Sequence, residues 1–297
     1  MCKFVKRYYS LDIIKIVCTI IIVLHHFQQI TGFRFSRFVN FYGGKIYFGY
    51  AVEMFFIISG VLTYKYIEII RNREITFIDF FRKKAMKHYI IAPITVIAFA
   101  VFRIICKNIY NRSIDFTFTD VLNSSLLLHV TGWINTTSLN HPIWYISVLI
   151  FCYIIFYYII ILSSRYNINE MNCFAIMIIL GLIIKLFNIN VFLLNSLSYR
   201  GFVSFFWGLV LFNSFNEANN NKQASKALLV ILYIFVIIIF KSSIQYTCLV
   251  FVLYPVLLRI SLACNIKVFN KQIEKISSMT YAVYMWHTFF IELLFLL

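Results

Sequence analysis

Residues 11–30 read LDIIKIVCTIIIVLHHFQQI, an apolar segment with polar side chains that a membrane helix normally excludes. At about 1.5 Å per residue the segment forms a helix of roughly 30 Å, enough to cross the hydrocarbon core of a bilayer. Ionisable side chains are costly at that depth, so they usually mark a functional path. Those in this segment are Asp12, Lys15, His25 and His26.

The polar residues of this segment follow one side of the predicted helix. At about 100° per residue, a single stripe contains Asp12, Lys15, Thr19, Ile22 and His26. Lys15 and His26 are roughly 16 Å apart along the axis. The helix therefore has a polar face, with a basic group near one end and an imidazole deep inside.

The composition is that of a polytopic membrane protein. Hydrophobic residues make up 62% of the chain and charged residues 13%, far from the balance of a soluble domain. The formal charge of +16 comes from Lys and Arg in short gaps between apolar runs. Positive-inside topology explains this pattern better than nucleic-acid binding, so we expect membrane lipids and no nucleic acid as partners.

The seven cysteines are spread singly, without the paired spacing of a metal site. They are typical of small buried hydrophobic residues. We therefore predict no metal and no tightly bound cofactor.

Apolar stretches recur along the whole chain. They lie at about residues 11–30, 46–64, 88–106, 143–162, 172–188, 199–213, 226–240, 244–262 and 279–297, with a weaker one at about 119–131. This pattern predicts an all-α fold, a polytopic transmembrane bundle of about ten helices with no soluble domain. We expect one membrane-embedded domain over residues 1–297.

Basic residues before the first helix and between the second and third place the amino terminus in the cytoplasm. The weak segment at about residues 119–131 determines on which side of the membrane the carboxyl-terminal lysines lie. If it crosses the membrane, Lys267, Lys271 and Lys275 lie outside, and if it does not they lie inside. Charge alone favours nine crossings.

Asp12, Lys15 and the histidines have two interpretations. In the structural one, Asp12 pairs with Lys15 at i,i+3 and the histidines hydrogen-bond across helices. Four such groups on one helix favour the functional one, in which a histidine accepts a proton near neutral pH. Glu53 is a further intramembrane acid, either partnered by the histidines or Lys15 or hydrated at the outer interface.

Three other segments carry possible functional groups. The basic residues at 82–87, just before an apolar helix with Pro93, suit phosphates of a soluble donor or of anionic lipid, although a topogenic signal looks the same. Ser59 and Gly60 favour close helix packing. His287 is a second catalytic group or, as we favour, a tether between helices.

Six segments, in order and spacing, resemble the acyltransferase-3 family of integral membrane acyltransferases. The family's first helix has Leu-Asp, a basic residue, ten further residues and His, which here are Leu11, Asp12, Lys15 and His26 rather than His25. The Phe-Phe-x-x-Ser-Gly helix corresponds to residues 55–60, and the basic stretch to residues 82–87. Later similarities lie at residues 143–146, 205–208 and 281–287.

This resemblance implies an O-acyltransferase of the plasma membrane that moves acetyl from acetyl-CoA to a hydroxyl of a cell-surface or lipid-linked polysaccharide. It implies His26 as the general base, with Asp12, Glu53 or His25 assisting. The implied ligands of the CoA phosphates are Lys15, Arg82, Lys83, Lys84 and Lys87. The supporting residues are Ser59, Trp144, Tyr284 and His287.

Lysine stands where the family has arginine at position 15 and in much of the basic stretch, which keeps the charge but loses bidentate phosphate geometry.

Family members commonly have ten spans, so we take ten as the working count. Two alternatives stay open: an exporter or transporter of polysaccharide, because intramembrane Asp, Lys and His also build proton-coupled pathways, and a non-catalytic assembly partner.

Overall fold

The computed structural model describes residues 7–35, 39–110, 116–132, 139–216, 244–264 and 270–296. Over these ranges the regular structure is helical. Its ten helices are α1 (Tyr9–Thr31), α2 (Ala51–Thr63), α3 (Tyr66–Arg71), α4 (Phe77–Tyr110), α5 (Phe118–Ser125), α6 (Ile143–Tyr166), α7 (Glu170–Leu186), α8 (Ser198–Asn216), α9 (Ile244–Ala263) and α10 (Asn270–Leu296). The predicted all-α bundle of about ten helices is confirmed.

Four of the described helices, α1, α4, α6 and α9, are long and apolar enough to cross a membrane. The segment Phe48–Thr63, which includes α2, is a shorter apolar helix. The predicted span at about residues 226–240 lies outside the described residues.

Local sequence signals explain where several helices end or distort. α1 stops at Gly32, which adopts φ 71° and donates its N–H to the carbonyl of Gln28. α9 contains a π-helical turn at Leu249–Leu253, just before Pro255, whose missing N–H interrupts the helical hydrogen-bond ladder.

The basic stretch lies inside a helix instead of in a loop before one. α4 begins at Phe77, well ahead of the predicted start at residue 88, and continues through Pro93. The cations of residues 82–87 therefore occupy successive positions around the first turns of α4. Helical spacing, and not their order in the chain, decides which of them share a face.

The chain forms two compact units, which we call unit 1 (Met1–Ile58 with Ser243–Leu297) and unit 2 (Ser59–Ser242). In unit 1, α1 packs along α10 and against the second half of α9. Asp12 near the start of α1 contacts Ser277 near the start of α10, and His26 contacts His287 further along both helices. These contacts show that α1 and α10 run in the same direction.

This parallel arrangement bears on the number of crossings. Arg7 forms an ion pair of 2.8 Å with Glu274, so the starts of α1 and α10 lie at one end of unit 1. If both helices cross the membrane, an even number of crossings lies between these two starts. Nine against ten crossings stays a prediction, because residues 217–243 lie outside the described residues. The weak segment contains α5, which has eight residues and is about 12 Å long, too short to cross a bilayer by itself.

In unit 2, α7 packs closely on α8, and α6 contacts α3, α4, α7 and α8. The carboxyl-terminal part of α2 lies directly on α8. At Gly60 a Cβ atom would overlap the carbonyl oxygen of Phe205. The absence of a side chain at Gly60 is therefore what allows the two backbones to approach so closely.

Replacing Gly60 with alanine is expected to lower the stability of the protein by roughly 1 to 2 kcal/mol, because a backbone carbonyl cannot rotate away from the added methyl group. Gly181→Ala is the matched control: its Cβ would lie 2.8 Å from Cγ2 of Val203 and no closer than 3.1 Å to a backbone atom, the carbonyl oxygen of Tyr199. The measurement is the thermal unfolding midpoint in detergent. Equal midpoints for the two variants would contradict the close approach at Gly60.

Candidate functional site

A pair of buried imidazoles lies between α1 and α10 in unit 1. Nε2 of His287 is 2.8 Å from Nδ1 of His26, and the ring centroids are 4.9 Å apart. His26 is 8% exposed and His287 is 5% exposed. We call these two residues the imidazole pair. They are titratable groups joined by a direct hydrogen bond and largely shielded from solvent.

The sequence builds the pair from two helical faces. The α1 stripe buries Asp12, Thr19, Ile22 and His26, as a face packed along a neighbouring helix must be. On α10, Nδ1 of His287 lies 2.8 Å from the carbonyl oxygen of Tyr284, one turn earlier in the same helix. The backbone of α10 therefore holds one side of the His287 ring.

His25, next to the pair in sequence, contacts the segment that follows α1. Its Nδ1 is 2.7 Å from the carbonyl oxygen of Phe41, and its ring contacts those of Tyr42 and Tyr47 edge-on. Gln28, 1% exposed, accepts hydrogen bonds from the backbone N–H groups of Phe41 and Tyr42. Both residues thus anchor the segment after α1 beside His26.

Asp12 is the centre of a charged cluster at the start of α1, which we call the Asp12 cluster. Its carboxylate accepts hydrogen bonds from Nε of Arg7 at 2.9 Å, Nζ of Lys15 at 3.0 Å and the hydroxyl of Ser277 at 2.7 Å. The Asp12 side chain is 5% exposed, whereas those of Lys15 and Arg7 are 23% and 43% exposed. The cluster is a cap that ties α1 to α10.

The helix itself separates Asp12 from the imidazole pair. Asp12 precedes His26 by fourteen residues on α1, which is about 21 Å along the axis. Direct orientation of His26 by Asp12 is therefore ruled out by distance. Glu53, in the first turn of α2, is 0% exposed, so it does not lie at a hydrated surface.

Unit 2 contains the second notable group, which we call the Lys84 site. Nζ of Lys84 donates to the hydroxyl of Thr63 at 2.9 Å and lies 4.9 Å and 5.1 Å from the ring centroids of Tyr66 and Tyr153. Lys65 lies over the same Tyr66 ring at 5.4 Å. Burial raises the pKa of the Tyr66 phenol, which therefore stays neutral at cellular pH.

In the part of the chain that the structure describes, no carboxylate neutralises the lysines of the Lys84 site. Among the residues that the structure describes, neither Lys65 nor Lys84 forms an ion pair with a carboxylate. An anion bound beside two lysine side chains on one aromatic ring would favour their charged form and accept charge-assisted hydrogen bonds from them. The site is thus suited to a phosphate or carboxylate.

The remaining candidates are dispersed. Arg82, Lys83 and Lys87 are exposed on α4. The hydroxyl of Ser59 is 3.3 Å from that of Tyr145, and the ring of Trp144 stacks under the guanidinium of Arg200 at 4.5 Å. Within the described ranges, no group of three His, Cys, Asp or Glu side chains comes together as a metal site.

An open groove of about 380 Å³ runs along α10 at His287. It is lined by α10 residues: Ala282, Val283, Trp286, His287 and Phe290. His287 is the single titratable group of this lining. The groove beside His287 is therefore mainly apolar.

Several contacts of these sites have no signal in the sequence. Ser277 and Gln28 are ordinary polar residues, and their roles appear only once α10 and the segment after α1 are placed against α1. Thr63 and Tyr153 are distant from Lys84 in the chain and meet it only in the folded unit. Their helical positions show that they can face a core, but not which partner they face.

Comparison with known proteins gives one match. A family model described as an acyltransferase domain, of the acyltransferase-3 type, matches residues 8–297. No match was found among curated proteins or among solved structures.

Proposed function

Because the chain belongs to the acyltransferase-3 family, whose members transfer acyl groups to hydroxyl groups, we propose that it acetylates a cell-surface or lipid-linked polysaccharide. The proposed donor is acetyl-CoA. The four long apolar helices and the family both indicate a membrane protein. We place it in the plasma membrane, with Arg7 and the amino terminus in the cytoplasm.

The imidazole pair is the observation that carries this proposal. Transfer to a sugar hydroxyl needs a base to remove the hydroxyl proton, and a histidine is suited to this near neutral pH. The buried position of His26, hydrogen-bonded to His287 at 2.8 Å, supports His26 as that base. The predicted family position of the general base is also His26.

The reaction then balances without any further reactant. His26 takes the proton of the acceptor hydroxyl as its oxygen attacks the thioester carbonyl of acetyl-CoA. A C–O bond forms, the C–S bond breaks, and the departing CoA sulfur receives the proton from His26. The histidine returns to its starting state, and the products are the O-acetyl sugar and CoA.

The Lys84 site supports the choice of a phosphate-bearing donor. It supplies positive charge that the described part of the chain does not neutralise, together with the Thr63 hydroxyl. Lys15, by contrast, is already paired with Asp12 at 3.0 Å. Of the basic residues predicted to hold the CoA phosphates, we therefore assign the main role to Lys84.

Two experiments test the proposed function. The first measures the acetyl content of the surface glycan in cells with and without this protein, which we expect to fall when the protein is absent. The second incubates purified protein with labelled acetyl-CoA and lipid-linked glycan, and we expect label in the glycan. Unchanged acetylation together with loss of surface polymer would overturn the proposal in favour of export.

Replacing Lys84 with methionine is expected to raise the KM for acetyl-CoA by roughly tenfold or more, because one charge-assisted contact to phosphate is lost. Lys83→Met is the matched control: it removes the same charge from the preceding, exposed position. We expect it to change KM by less than about threefold, as exposed charges contribute little. Equal effects of the two variants would show that the stretch acts only through its net charge.

A further inference from the structure

The hydrogen bonds around the imidazole pair determine which ring nitrogens carry protons. Nδ1 of His287 is 2.8 Å from the carbonyl oxygen of Tyr284 and 3.2 Å from that of Val283. Carbonyl oxygens only accept hydrogen bonds, so Nδ1 of His287 must carry the proton. In the neutral ring, Nε2 of His287 is then an acceptor.

The same reasoning extends to His26. The 2.8 Å contact between Nε2 of His287 and Nδ1 of His26 needs one proton, and Nε2 of His287 does not supply it. Nδ1 of His26 therefore carries the proton, which leaves the basic lone pair of the neutral ring on Nε2. The chain of donors runs from His26 through His287 to the backbone of α10.

We propose that His287 is a positioning residue, which holds His26 in the tautomer protonated at Nδ1 so that Nε2 accepts the proton of the substrate hydroxyl. The catalytic part of this inference rests on the proposed function. The tautomer itself follows, for two neutral rings, from the contacts of His287 with the Tyr284 carbonyl and with His26. No signal in the sequence identifies His287 as the partner of His26.

His287 also acts after the proton has been transferred. When Nε2 of His26 gains a proton, the ring becomes an imidazolium, and its Nδ1–H donates to the lone pair of His287 as a charge-assisted hydrogen bond. The low exposure of both rings limits competition from water, which strengthens this bond. One contact thus selects the basic nitrogen and stabilises the charged form that catalysis creates.

The source of this selection is the main chain of α10. A backbone carbonyl in a helix does not change its protonation state or move independently of the helix. The Tyr284 carbonyl therefore fixes the proton of His287 on Nδ1. The lone pair on Nε2 of His287 then fixes the proton of His26 on its Nδ1. A hydroxyl or amide side chain in the same place could donate as well as accept, and would allow both tautomers.

The test compares His287→Met with His287→Gln in the full-length protein in detergent. Methionine fills space without offering a comparable acceptor, whereas the glutamine oxygen replaces the acceptor at Nε2. For His287→Met we expect kcat to fall by roughly a hundredfold, within the range for general-base assistance, with KM for both substrates changed less than about threefold. His287→Gln is expected to recover at least about tenfold of that loss.

A second readout does not depend on activity. In protein labelled with ¹⁵N-histidine, the signals of His26, identified by their loss in His26→Gln, report which nitrogen carries the proton. We expect a proton on Nδ1 and a lone pair on Nε2 in the wild type and in His287→Gln, and a mixture of tautomers in His287→Met. Wild-type His26 protonated at Nε2, or an unchanged tautomer in His287→Met, would overturn the inference.

These two readouts separate the inference from the proposed function. If no acetyl transfer occurs with any acceptor but the His26 tautomer depends on His287 as described, the proposed function fails and the positioning role stands. If transfer occurs and the wild-type tautomer is the opposite one, the positioning role fails. Because the wild-type spectrum alone decides this, poor folding of a variant leaves the test intact.

Discussion

His26→Ala is expected to reduce acyl transfer by about 10²- to 10⁴-fold while leaving folded protein in the membrane. The estimate is the usual contribution of a positioned general base. His26 contacts His287 across the interface between α1 and α10, so its removal costs this hydrogen bond but leaves the Asp12 cluster between the same two helices in place. The measurement is the turnover of labelled acetyl-CoA into glycan by equal amounts of purified protein.

His25→Ala is the natural comparison, because it removes the same side chain one residue earlier. His25 contacts Phe41 and the rings of Tyr42 and Tyr47, and we expect its loss to act mainly through the segment after α1. Activity should therefore fall much less than in His26→Ala. Retention of acetyl transfer in folded His26→Ala, or a larger loss in His25→Ala, would contradict the assignment of the base.

Much of unit 1 could be predicted from the sequence, because helical periodicity is a local property. The spacing of Asp12, Lys15 and His26 predicts a polar stripe, and the structure buries Asp12 and His26 within it. The sequence also favours His287 as a tether between helices. It does not identify His26 as the partner, because which helix lies beside α10 is determined by packing between segments far apart in the chain.

The basic stretch shows the opposite case, in which adjacency in the chain is misleading. Arg82, Lys83, Lys84 and Lys87 look like one cluster when they are read as a loop. On α4, successive residues are about 100° apart, so Lys84 faces Thr63 and Tyr153 while Arg82 and Lys83 remain exposed. The sequence shows where the basic residues lie in the chain. The helical spacing determines which of them faces the interior of unit 2.

The number of crossings is a prediction on which two arguments from the sequence disagree. Counting basic residues favoured nine crossings, and family resemblance favoured ten. The ion pair between Arg7 and Glu274 brings the starts of α1 and α10 together, and α5 is too short to cross. Both observations agree with the count that charge alone favours, and nine against ten crossings stays a prediction.

Asp12→Ala is expected to lower the free energy of unfolding by about 2 to 4 kcal/mol. The change removes the common acceptor of Arg7, Lys15 and Ser277, and hydrogen bonds to charged groups are worth more than neutral ones. It also leaves the ammonium of Lys15, partly buried at the start of α1, without its counter-charge. The exposure of Arg7 keeps the expected loss at the lower end of values for buried ion pairs.

Ser277→Ala and Ser278→Ala provide a matched pair for the Asp12 cluster. Ser277 donates to Asp12 at 2.7 Å, whereas the exposed Ser278 donates only to the carbonyl of Lys275 in its own helix. The thermal unfolding midpoint should fall for Ser277→Ala and hardly change for Ser278→Ala. In the Asp12→Ala background, Ser277→Ala should have little further effect, since contacting residues are not additive.

The same variants separate structure from catalysis at Asp12. Because about 21 Å of helix lies between Asp12 and His26, the fraction of Asp12→Ala protein that remains folded should keep a kcat within about fivefold of the wild type. Activity per folded molecule, measured below the unfolding transition, is therefore the deciding quantity. A loss as large as that of His26→Ala, with an unchanged unfolding midpoint, would make Asp12 part of the reaction and not a cap between α1 and α10.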